Sequence, residues 1–442
     1  MNTIAIDCGA SFIKAAYISN DKIIKKIEKS APRPVKNDEY METNSIKKLV
    51  EIVRDVLNEL LIVGEDTILT ISNEMHGFIL VDENGNPYTD YISWQKEYGN
   101  IEVKGKSAVE ILANEEYGED ILKTGMPLRA GLLSCNLLFL KNIGILDKKE
   151  KLYFYTLGDY LLRSLSQGEV NMHTTNAAAT GLFDLKTGNW NEKLLKICSR
   201  INVVFPKISD ERITFVYGSN TIVAFPAIGD QQAALLGTGI DTENSLSFNL
   251  GTGAQISKLE KKIILSSLYQ TIPFFKNYYL KTIPHIPSGR AINVYIRLIQ
   301  DTLKTFGISY EIEKIWEVIL NQVKISDKSA MVFDMSFFEN SVTDFSTGSI
   351  LNIGEYDLSF GNLFRGIFEQ LTCNYLVIAK KIQPDKNKIE KIYFSGGVAR
   401  KIDFITENII AQYPENCEIF ICEDETLKGL NEYGKMLIGA MA

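Results

Sequence analysis

The chain has 442 residues, of which 45% are hydrophobic and 23% are charged, and its formal net charge is −8. This length predicts two domains, and the composition is that of a folded protein without long disordered segments. The acidic balance and the scattered lysines argue against nucleic acid as a partner. No apolar run reaches the roughly 18–20 residues of a membrane helix, and the start of the chain lacks the basic region of a signal peptide, so a cytoplasmic protein is expected.

The first patterned stretch, Thr3–Ile18, has two apolar runs around a turn at Asp7–Gly9 and predicts a β-hairpin. A further strand is expected in the NDKII segment that follows. The next segment predicts an amphipathic helix with Asn44 as its N-cap. Its apolar face is formed by Ile46, Leu49, Val50, Val53, Val56, Leu57 and Leu60. A buried strand is expected next, at Thr67–Ser72, and this alternation of strands and helices indicates an α/β domain.

A single carboxylate stands at a predicted strand-to-helix turn further along the chain. The apolar run Thr221–Ile228 ends at Gly229, and good helix formers follow Asp230. One interpretation of Asp230 is a helix N-cap, which is a common role for aspartate. The other is an accessible general base that takes a proton from an attacking hydroxyl. The spacing does not choose between these roles, and one side chain can serve both.

The pattern of the first stretch returns near residue 246. Aligning the two stretches places Asn249 on Asp7 and Gly251 on Gly9. Each stretch then consists of a strand, a glycine turn, a strand, a charged turn and a strand. Unless the match arises by chance, the repeat predicts two copies of one α/β plan that face each other.

The rest of the second half continues this plan. Residues 389–413 predict a strand, a double-glycine turn and a helix, and a long helix with an Arg–Glu pair one turn apart precedes them. No Pro-rich or Ser-rich linker separates the two halves. We place the joint near residues 237–244, which predicts domains at 1–240 and 241–442.

Three glycine turns follow apolar strands, at Asp7–Ser11, Asn249–Gly253 and Ser395–Gly397. Glycine lets backbone N–H groups approach an anion, so each turn is a candidate phosphate loop, although each alone is also an ordinary hairpin turn. Asp7 fits beside phosphate if a Mg²⁺ ion bridges them. The GKS tripeptide at Gly105–Ser107 lacks the glycine and the strand of a Walker A motif, and we interpret it as a surface turn before a helix. No G-x-G-x-x-G motif occurs at a strand-to-helix junction, so a dinucleotide-binding fold is not expected.

Two aromatic residues have both a structural and a functional interpretation. His76 lies between two apolar strands, where a lone histidine usually has a structural role, and Trp94 is more often a core residue than a ligand stacker. The six cysteines are far apart, without C-x-x-C pairs, and the chain has only three histidines. Reduced thiols and no structural zinc site are therefore expected.

Taken together, these segments resemble the FGGY family of carbohydrate kinases. DCGASFIK (Asp7–Lys14) is similar to the family's first phosphate loop, and GDQQAAL (Gly229–Leu235) to its catalytic-base segment. NLGTGAQIS (Asn249–Ser257) is similar to the second phosphate loop, and FSGGVAR (Phe394–Arg400) to the adenosine segment. NLFRGIFEQ and TTNAAATGLFDLKTGNWN resemble its C-terminal helix signature and its central stretch. The resemblance covers nearly the whole chain and implies two ribonuclease-H-like domains, as in actin and hexokinase, that flank a central cleft.

The resemblance also implies a role for each matching residue. Asp230 would be the general base on a sugar hydroxyl, and Asp7 would bind Mg²⁺ directly or through water. ATP would be held by the glycine turns, at Asp7, Gly9, Ala10, Ser11, Lys14, Gly251, Thr252, Gly253, Gly396 and Gly397. The sugar would contact Met75, His76, Trp94, Gln95 and Gln231. The implied partners are thus a small sugar and ATP, and a homodimer is one option for the assembly.

The EMHG segment at Glu74–Gly77 is similar to the QMHG of xylulose and sedoheptulose kinases, where the histidine touches sugar. We therefore interpret His76 as a ligand contact and expect a ketose as the substrate. Three features depart from the family pattern. Ala10 replaces a frequent threonine, Glu74 replaces a glutamine and puts a charge near the sugar, and GGVARK lacks the usual form of the adenosine segment, which leaves the nucleotide preference open.

An alternative from another class is a nucleotide-gated binding or regulatory protein on the same actin-like ATPase scaffold, without sugar kinase activity. In such a protein, Asp230 would cap its helix or orient a hydrolytic water. The MHG and SWQ segments argue against this alternative, because a nucleotide gate has no need of a sugar pocket. A repressor relative of the sugar kinases is disfavoured, since no helix-turn-helix or basic surface precedes Asp7.

Overall fold

The computed structural model describes residues 2–36, 41–147, 150–328, 330–343 and 346–439. The chain packs into two compact units. The first unit is formed by Met1–Gly239, Lys261–Tyr279 and Asp424–Ala442, and the second by Ile240–Glu260 and Leu280–Glu423. The first unit therefore includes two segments from beyond the joint that the sequence predicts near residue 240.

The first unit alternates strands and helices up to residue 239. Its strands there are β1 (Asn2–Cys8), β2 (Phe12–Ser19), β3 (Lys22–Ser30), β4 (Val35–Lys36), β5 (Glu42–Thr43), β6 (Thr67–Asn73), β7 (Ile79–Val81), β8 (Leu152–Tyr155), β9 (Phe183–Asp184), β10 (Asn189–Trp190), β11 (Val203–Val204), β12 (Ile213–Tyr217), β13 (Asn220–Ala224) and β14 (Ile228–Gly229). Its helices there are α1 (Ile46–Leu60), α2 (Ala108–Leu112), α3 (Glu115–Lys123), α4 (Leu133–Asn142), α5 (Leu157–Ser166), α6 (Thr174–Ala179), α7 (Glu192–Cys198) and α8 (Asp230–Gly237).

The remaining elements follow residue 240. The second unit contains β15 (Ser245–Leu250), β16 (Ala254–Glu260), β18 (Tyr279–Ile286), β19 (Val332–Asp334), β20 (Ser349–Leu351), β21 (Lys391–Ser395), β22 (Glu418–Ile421), α9 (Gly289–Thr305), α10 (Ile312–Ile325), α11 (Phe360–Ile382), α12 (Gly397–Lys401) and α13 (Asp403–Ile410). The chain adds β17 (Gln270–Pro273) and α14 (Glu425–Gly439) to the first unit.

The main sheet of the first unit has the strand order β12-β13-β6-β1-β2-β3. Strand β1 pairs antiparallel with β2 and parallel with β6, so the predicted hairpin is confirmed. Strand β3 confirms the strand expected in the NDKII segment, and it pairs antiparallel with β2. Every residue of β6 is buried, because helices or other chain cover both faces of this central strand.

Helix α1 has the predicted apolar face, with Val50 only partly buried. Its N-cap is Ser45, whose side chain accepts the N–H of Lys48, so the predicted cap at Asn44 is wrong. Asn44 exchanges two backbone hydrogen bonds with Tyr91 and donates its side-chain amide to the carbonyl oxygen of Pro32. These bonds hold Asn44 in extended chain, and the helix therefore begins after the next residue.

The apolar run before Asp230 forms two short strands that both pair with β6. Strand β13 pairs parallel with the first half of β6, and β14 pairs parallel with its end. Pro226 lies between the two strands. At this position no ladder hydrogen bond needs the backbone N–H that proline lacks. The break brings Gly229 beside the end of β6 and starts α8 at the next residue.

The second unit repeats the central arrangement of the first. Strand β15 pairs antiparallel with β16 and parallel with β21. Asn249 lies opposite Ser395 on the parallel neighbour, just as Asp7 lies opposite Ser72 in the first unit. The predicted correspondence of Asn249 with Asp7 is therefore confirmed. The third strand of the repeat is wrong, because residues 261–269 form no strand and belong to the first unit.

Three other predicted features are confirmed. Ser107 caps α2 and forms a capping box with Glu110, so the GKS tripeptide is a turn before a helix. The long helix is α11, in which Arg365 and Glu369 form an ion pair of 3.1 Å. The double-glycine turn after β21 leads into α12 and α13. Among the helices of the described ranges, none combines the length and the apolar composition that a bilayer-spanning helix requires.

Candidate active site

Asp7 lies at the end of β1, between the strands β2 and β6. The hydroxyl of Ser72 on β6 donates a hydrogen bond to Asp7 Oδ1 at 2.8 Å, and Lys14 lies opposite Asp7 on β2. Burial raises the pKa of Asp7 to about 6, the Glu425 carboxylate adds to the rise, and the Ser72 hydrogen bond and the Lys14 charge lower it. The side chain is still partly exposed, so a ligand can reach it.

The predicted first phosphate loop is the tight turn that joins β1 to β2. The N–H of Gly9 donates to the carbonyl oxygen of Phe12, which closes the turn. Ala10 and Ser11 are exposed at its tip. Small side chains at this position leave the backbone accessible to a phosphate group. The Lys14 ammonium is half-exposed and lies 4.0 Å from the Glu28 carboxylate.

The residues around Asp7 fit a Mg²⁺ ion of the kind that accompanies a nucleotide. In the part of the chain that the structure describes, no three His, Cys, Asp or Glu side chains are grouped as a complete metal site. Mg²⁺ usually takes only one or two protein carboxylates and fills its other positions with phosphate oxygens and water. A single, partly exposed carboxylate such as Asp7 matches this requirement, and a cation there would offset the cost of ionising it.

Asp230 is the first residue of α8, and Gly229 occupies the N-cap position. The N-cap interpretation of Asp230 is therefore wrong. Its Oδ1 instead accepts the N–H of the next residue, Gln231, at 2.8 Å. Its side chain is partly exposed, at the point where β14 ends beside β6.

The charge of Asp230 is disfavoured by its surroundings. Burial raises the pKa of Asp230 to about 8, and repulsion from the carboxylates of Asp7 and Glu74 contributes to the rise. The backbone hydrogen bond from Gln231 lowers it only in part. The structure thus brings the predicted base and the predicted metal ligand into electrostatic contact within one unit.

The predicted sugar contacts Met75 and His76 follow the end of β6. Met75 is buried, and its Sδ lies 3.1 Å from where a Cβ on Gly229 would stand. His76 has a left-handed backbone with φ +69°. Its ring Nδ1 lies 2.6 Å from the carbonyl oxygen of Ala179, at the end of α6. The first contact places Met75 next to the turn that carries Asp230, and the second ties His76 to the end of helix α6.

The predicted contacts of the SWQ segment lie in a neighbouring stretch. Trp94 is partly buried, Gln95 is exposed, and the Gln95 N–H is 3.4 Å from the hydroxyl oxygen of Ser93. Gln231 is buried in the first turn of α8. All three lie in the first unit with Asp230.

Glu74, the residue that departs from the family's glutamine, is only 4% exposed. Burial raises the pKa of Glu74, and the neighbouring polar groups of Tyr91, Ser93 and Trp94 lower it. Its Oε2 atom has no hydrogen-bond partner among the described residues. Glu74 therefore links the EMHG and SWQ segments, and its charge acts on Asp230 from inside the protein.

Several residues of this site were not predicted from the sequence. Ser72 binds Asp7, and Tyr91 packs so closely on Gly77 that a Cβ there would stand 2.0 Å from its hydroxyl oxygen. Thr175 and Asn176 of α6 bond to the backbone before Asp230. The only sequence signal for α6 was its place in the family's central stretch, since its residues carry no local pattern of a binding site.

The second unit carries the other two glycine turns. The N–H of Gly251 bonds to the carbonyl oxygen of Gly253, and Thr252 and Gly253 are exposed at the tip. The start of α9 holds this turn, because Gly289 N–H bonds to Gly251 O at 3.1 Å and the next N–H bonds to Thr252 O at 2.8 Å. The turn thus presents its backbone from a fixed position.

The Ser395–Gly397 turn lies against the same end of β15. Gly396 has φ +89°, and a Cβ there would stand 2.5 Å from the carbonyl group of Leu250. Only glycine satisfies both the backbone conformation and this approach. The structure therefore brings the two predicted nucleotide turns of the second unit together.

Comparison with known proteins identifies the family. Residues 2–246 match the N-terminal domain of the FGGY family of carbohydrate kinases. The match covers 245 of the 442 residues, and the chain therefore belongs to the FGGY family of carbohydrate kinases. The family predicted from the sequence motifs is confirmed.

Curated relatives include kinases of different substrates. The glycerol kinase of Aquifex aeolicus (strain VF5) is 28% identical over 297 residues, which are 62% of this chain and 58% of that protein. The xylulose kinase of Staphylococcus xylosus is 24% identical over 272 residues, which are 58% of this chain and 55% of that protein. The chain thus matches a little more than half of the length of these relatives.

Solved structures with the same fold cover nearly the whole chain. The xylulose kinase from Lactobacillus acidophilus has a TM-score of 0.82 at 20% identity and covers 99% of this chain and 90% of its own. The gluconate kinase from the same organism has a TM-score of 0.81 at 20% identity, with 100% and 90% covered. The Plasmodium falciparum glycerol kinase with ADP has a TM-score of 0.76 at 17% identity, with 99% and 90% covered.

These likenesses confirm the predicted fold class, which is α/β with two ribonuclease-H-like domains of the actin and hexokinase type. The family match does not favour the alternative of a binding protein without kinase activity. The roles assigned to individual site residues stay predictions.

Proposed function

We propose that this protein is an ATP-dependent kinase that phosphorylates a terminal hydroxyl of a sugar, and that the sugar is a ketose such as xylulose or sedoheptulose. The observation that carries this proposal is the setting of Asp230. Its carboxylate is partly exposed, so a ligand can reach it, and the charge of the Asp7 carboxylate acts on it. Membership of the FGGY family supports the same reaction class.

Asp230 would act as the general base. Burial and the charges of Asp7 and Glu74 raise the pKa of Asp230 to about 8, so the ionised form is a stronger base than an ordinary aspartate. A base whose pKa is near the working pH accepts a hydroxyl proton efficiently in the transition state. Asp230 would take this proton while the sugar oxygen attacks the γ-phosphate.

Asp7 would hold the metal ion of Mg-ATP, with Ser72 fixing the orientation of its carboxylate. When bound, Mg²⁺ neutralises the charge of the phosphate groups and orients them for transfer. Lys14 lies opposite Asp7 on the neighbouring strand and would add a positive charge on the same side. This arrangement supports binding of the triphosphate at the Gly9–Ser11 turn.

The second unit would bind the rest of the nucleotide. The exposed backbone of the Gly251–Gly253 turn is suited to phosphate, because glycine lets N–H groups approach an anion closely. Gly396 and Gly397 would border the adenosine. The fit of Gly396 against Leu250 keeps the two turns in one place.

The sugar would bind beside Asp230, against Met75, His76, Trp94, Gln95 and Gln231. Met75 and His76 support this position, because they contact Gly229 and the end of α6. A ketose is supported by the EMHG segment and by relatives named xylulose kinase. Other relatives are named glycerol kinase and gluconate kinase. A test of the substrate must therefore also include an alditol and a sugar acid.

The test is a screen of ketoses, alditols, aldoses and aldonates for ADP production with Mg-ATP. We expect one ketose to stimulate ADP production strongly. Asp230→Asn should lower kcat by about 10²- to 10⁴-fold, since it removes the proton acceptor, and should leave ATP binding intact. Asp66→Asn is the matched control, because Asp66 is an exposed carboxylate of the same unit.

Two results would contradict the proposal. Slow ATP hydrolysis that no sugar changes would favour the nucleotide-gated alternative. An Asp230→Asn variant that phosphorylates the sugar at nearly the wild-type rate would remove Asp230 from the role of base.

A further inference from the structure

We infer that Thr175 on helix α6 is a positioning residue that sets the location of Asp230. We also infer that the backbone carbonyl of Ala179, at the end of the same helix, fixes the ring of His76. This inference rests on the proposed function. Thr175 is 54 residues from Gly229 in the chain, yet its Oγ1 atom accepts the Gly229 N–H at 3.1 Å. Gly229 immediately precedes Asp230, so this bond fixes the peptide on which the carboxylate is mounted.

The hydroxyl of Thr175 has a defined orientation. The side chain is 0% exposed, so no water competes for its hydrogen bonds. Its Oγ1 lies 2.9 Å from His173 Nδ1, and that same ring nitrogen accepts the Thr175 N–H at 3.1 Å. Nδ1 is therefore an acceptor, and the hydroxyl proton points to it. The lone pairs of Oγ1 are then directed to Gly229.

His173 is itself held in place. Its other ring nitrogen, Nε2, lies 3.4 Å from Asp210 Oδ1, and its ring packs against Phe275 and Tyr433. A neutral ring with the proton on Nε2 satisfies every one of these contacts. The chain of contacts therefore runs from Asp210 through His173 and Thr175 to the backbone before Asp230.

A second contact from α6 reaches the same turn. The Asn176 side-chain amide donates to Ala227 O at 2.9 Å and to Asn73 Oδ1 at 3.1 Å. Asn73 ends β6, and its own amide donates to the carbonyl oxygen of Glu74 at 2.7 Å. The turn before Asp230 and the end of β6 are thus tied to one helix.

The far end of α6 contacts the predicted sugar side. The carbonyl oxygen of Ala179 lies 2.6 Å from His76 Nδ1, and His76 is held in a left-handed conformation. One short helix therefore contacts both the backbone before the base and the ring of a sugar contact. Because α6 is buried and short, it fixes the spacing between these two groups.

The experiment compares Thr175→Val with Thr175→Ser. Valine has the shape of threonine without the hydroxyl, so the Gly229 N–H loses its acceptor, whereas serine keeps it. We expect Thr175→Val to lower kcat roughly 10- to 100-fold, since displacements of about 1 Å have effects of this size, with little change in KM for ATP. Thr175→Ser should retain most of the wild-type kcat. Thr174→Val is the matched control, because the Thr174 side chain forms no hydrogen bond within the described ranges.

A second readout does not depend on activity. Hydrogen–deuterium exchange of peptides that cover residues 226–232 should be faster in Thr175→Val than in the wild type, Thr175→Ser or Thr174→Val. If circular dichroism shows that Thr175→Val does not fold, Thr175→Ala replaces it in both measurements.

The inference is overturned if the hydroxyl-free variant keeps both the wild-type kcat and the wild-type exchange rate, or if Thr175→Ser loses as much activity as Thr175→Val. A failure of the proposed function is a different result. It would appear as a wild-type protein that makes no ADP in response to any sugar, while the exchange rates would still decide whether Thr175 holds the turn.

Discussion

The carboxylate of Asp230 has a position that favours reactivity over stability. It is largely enclosed, and the charges of Asp7 and Glu74 act on it. Each of these effects destabilises the ionised form in the folded protein. The same features that would make Asp230 a good base should therefore lower the free energy of unfolding.

This reasoning predicts that Asp230→Asn makes the protein more stable at alkaline pH. The pKa of Asp230 is raised from 3.8 to about 8, so the folded state binds a proton that the unfolded chain releases between these values. The wild type loses stability as the pH rises through this window, and asparagine removes the loss while keeping an oxygen for the Gln231 N–H. At pH 8 the variant should be more stable by on the order of 1–3 kcal/mol, and near pH 4 the difference should vanish.

Thermal unfolding at pH 4, 6 and 8 checks this prediction, with Asp66→Asn as the control for removing an exposed charge. A variant that is less stable than the wild type at pH 8 would mean that the Asp230 carboxylate stabilises the folded protein.

At the scale of single residues, the sequence was sufficient to predict candidate site residues that belong to a local pattern. Asp7 and Asp230 each stand at the end of an apolar run, where a strand ends and a polar group is presented. The roles of Ser72 and Thr175 were not predictable, because each depends on a contact with a residue 54 or more positions away. Nothing in their own neighbourhoods distinguishes them from other buried hydroxyl residues.

Helix α8, which carries Asp230, crosses α14 at a pair of glycines. A Cβ on Gly237 would stand 1.8 Å from Glu425 O, and a Cβ on Gly429 would stand 1.8 Å from Ala233 O. The two backbones are therefore in direct contact. Side chains of any size at these positions would push the helices apart.

Gly429→Ala should therefore destabilise the first unit. The added methyl group meets a backbone oxygen that cannot rotate away, and overpacking of this kind costs about 1–3 kcal/mol. A shift of α14 would also move α8, so we expect kcat to fall along with the thermal unfolding temperature. Both are measured on the purified variant.

Gly118→Ala is the control for this substitution. Gly118 lies in helix α3, and a Cβ there would meet nothing within 4 Å. Alanine is the better helix former by up to about 1 kcal/mol, so this variant should be as stable as the wild type or more so. Equal stability of the Gly429→Ala variant would show that α8 and α14 separate without cost.

Helices and strands with a clear hydrophobic period were predicted correctly, but a helix cap and the division of one strand were not. The apolar face of α1 follows from its spacing, but the cap falls on Ser45 because Asn44 pairs with Tyr91, a residue distant in the chain. The run before Asp230 looked like one strand. Its division at Pro226 follows from the pairing of both halves with β6, which a linear pattern does not reveal.

On the scale of the whole molecule, the first unit is discontinuous. It is completed by α14, which packs against α8 and β1. Leu427, Leu430 and Tyr433 join the core cluster that contains Phe225 and Ile228. The Tyr433 hydroxyl also donates to the carbonyl oxygen of Pro226 at 3.0 Å. The core under the Asp230 turn is therefore finished by residues from beyond the second unit.

A chain that ends at Glu423 should therefore fail to form a stable first unit. Its apolar cluster around Phe225 and Ile228 would be exposed, and burying three large side chains contributes several kcal/mol, at roughly 1.5–3 kcal/mol each. We expect aggregation, binding of a hydrophobic dye and loss of the cooperative unfolding of the first unit. A synthetic peptide of residues 424–439 added in trans is the control and should restore a part of the stability. A truncated chain that stays monomeric and unfolds at the wild-type temperature would contradict this expectation.

The repeat in the sequence predicted the twofold plan correctly, because both copies keep their strand and turn patterns. It could not predict that residues 261–279 and 424–442 belong to the first unit. Both segments have ordinary apolar patterns, and their partners are determined by packing across the chain.

The late position of α14 has a consequence for biosynthesis. A ribosome has made the segments that bear Asp7 and Asp230 by about the middle of the chain, but it releases the helix that completes their core only after every residue of the second unit. Nascent chains must therefore keep an open apolar surface while the second unit is translated, and a prematurely terminated product would be marked for chaperones and proteases by that surface. The cell would accumulate the site only in chains that were translated through to this helix.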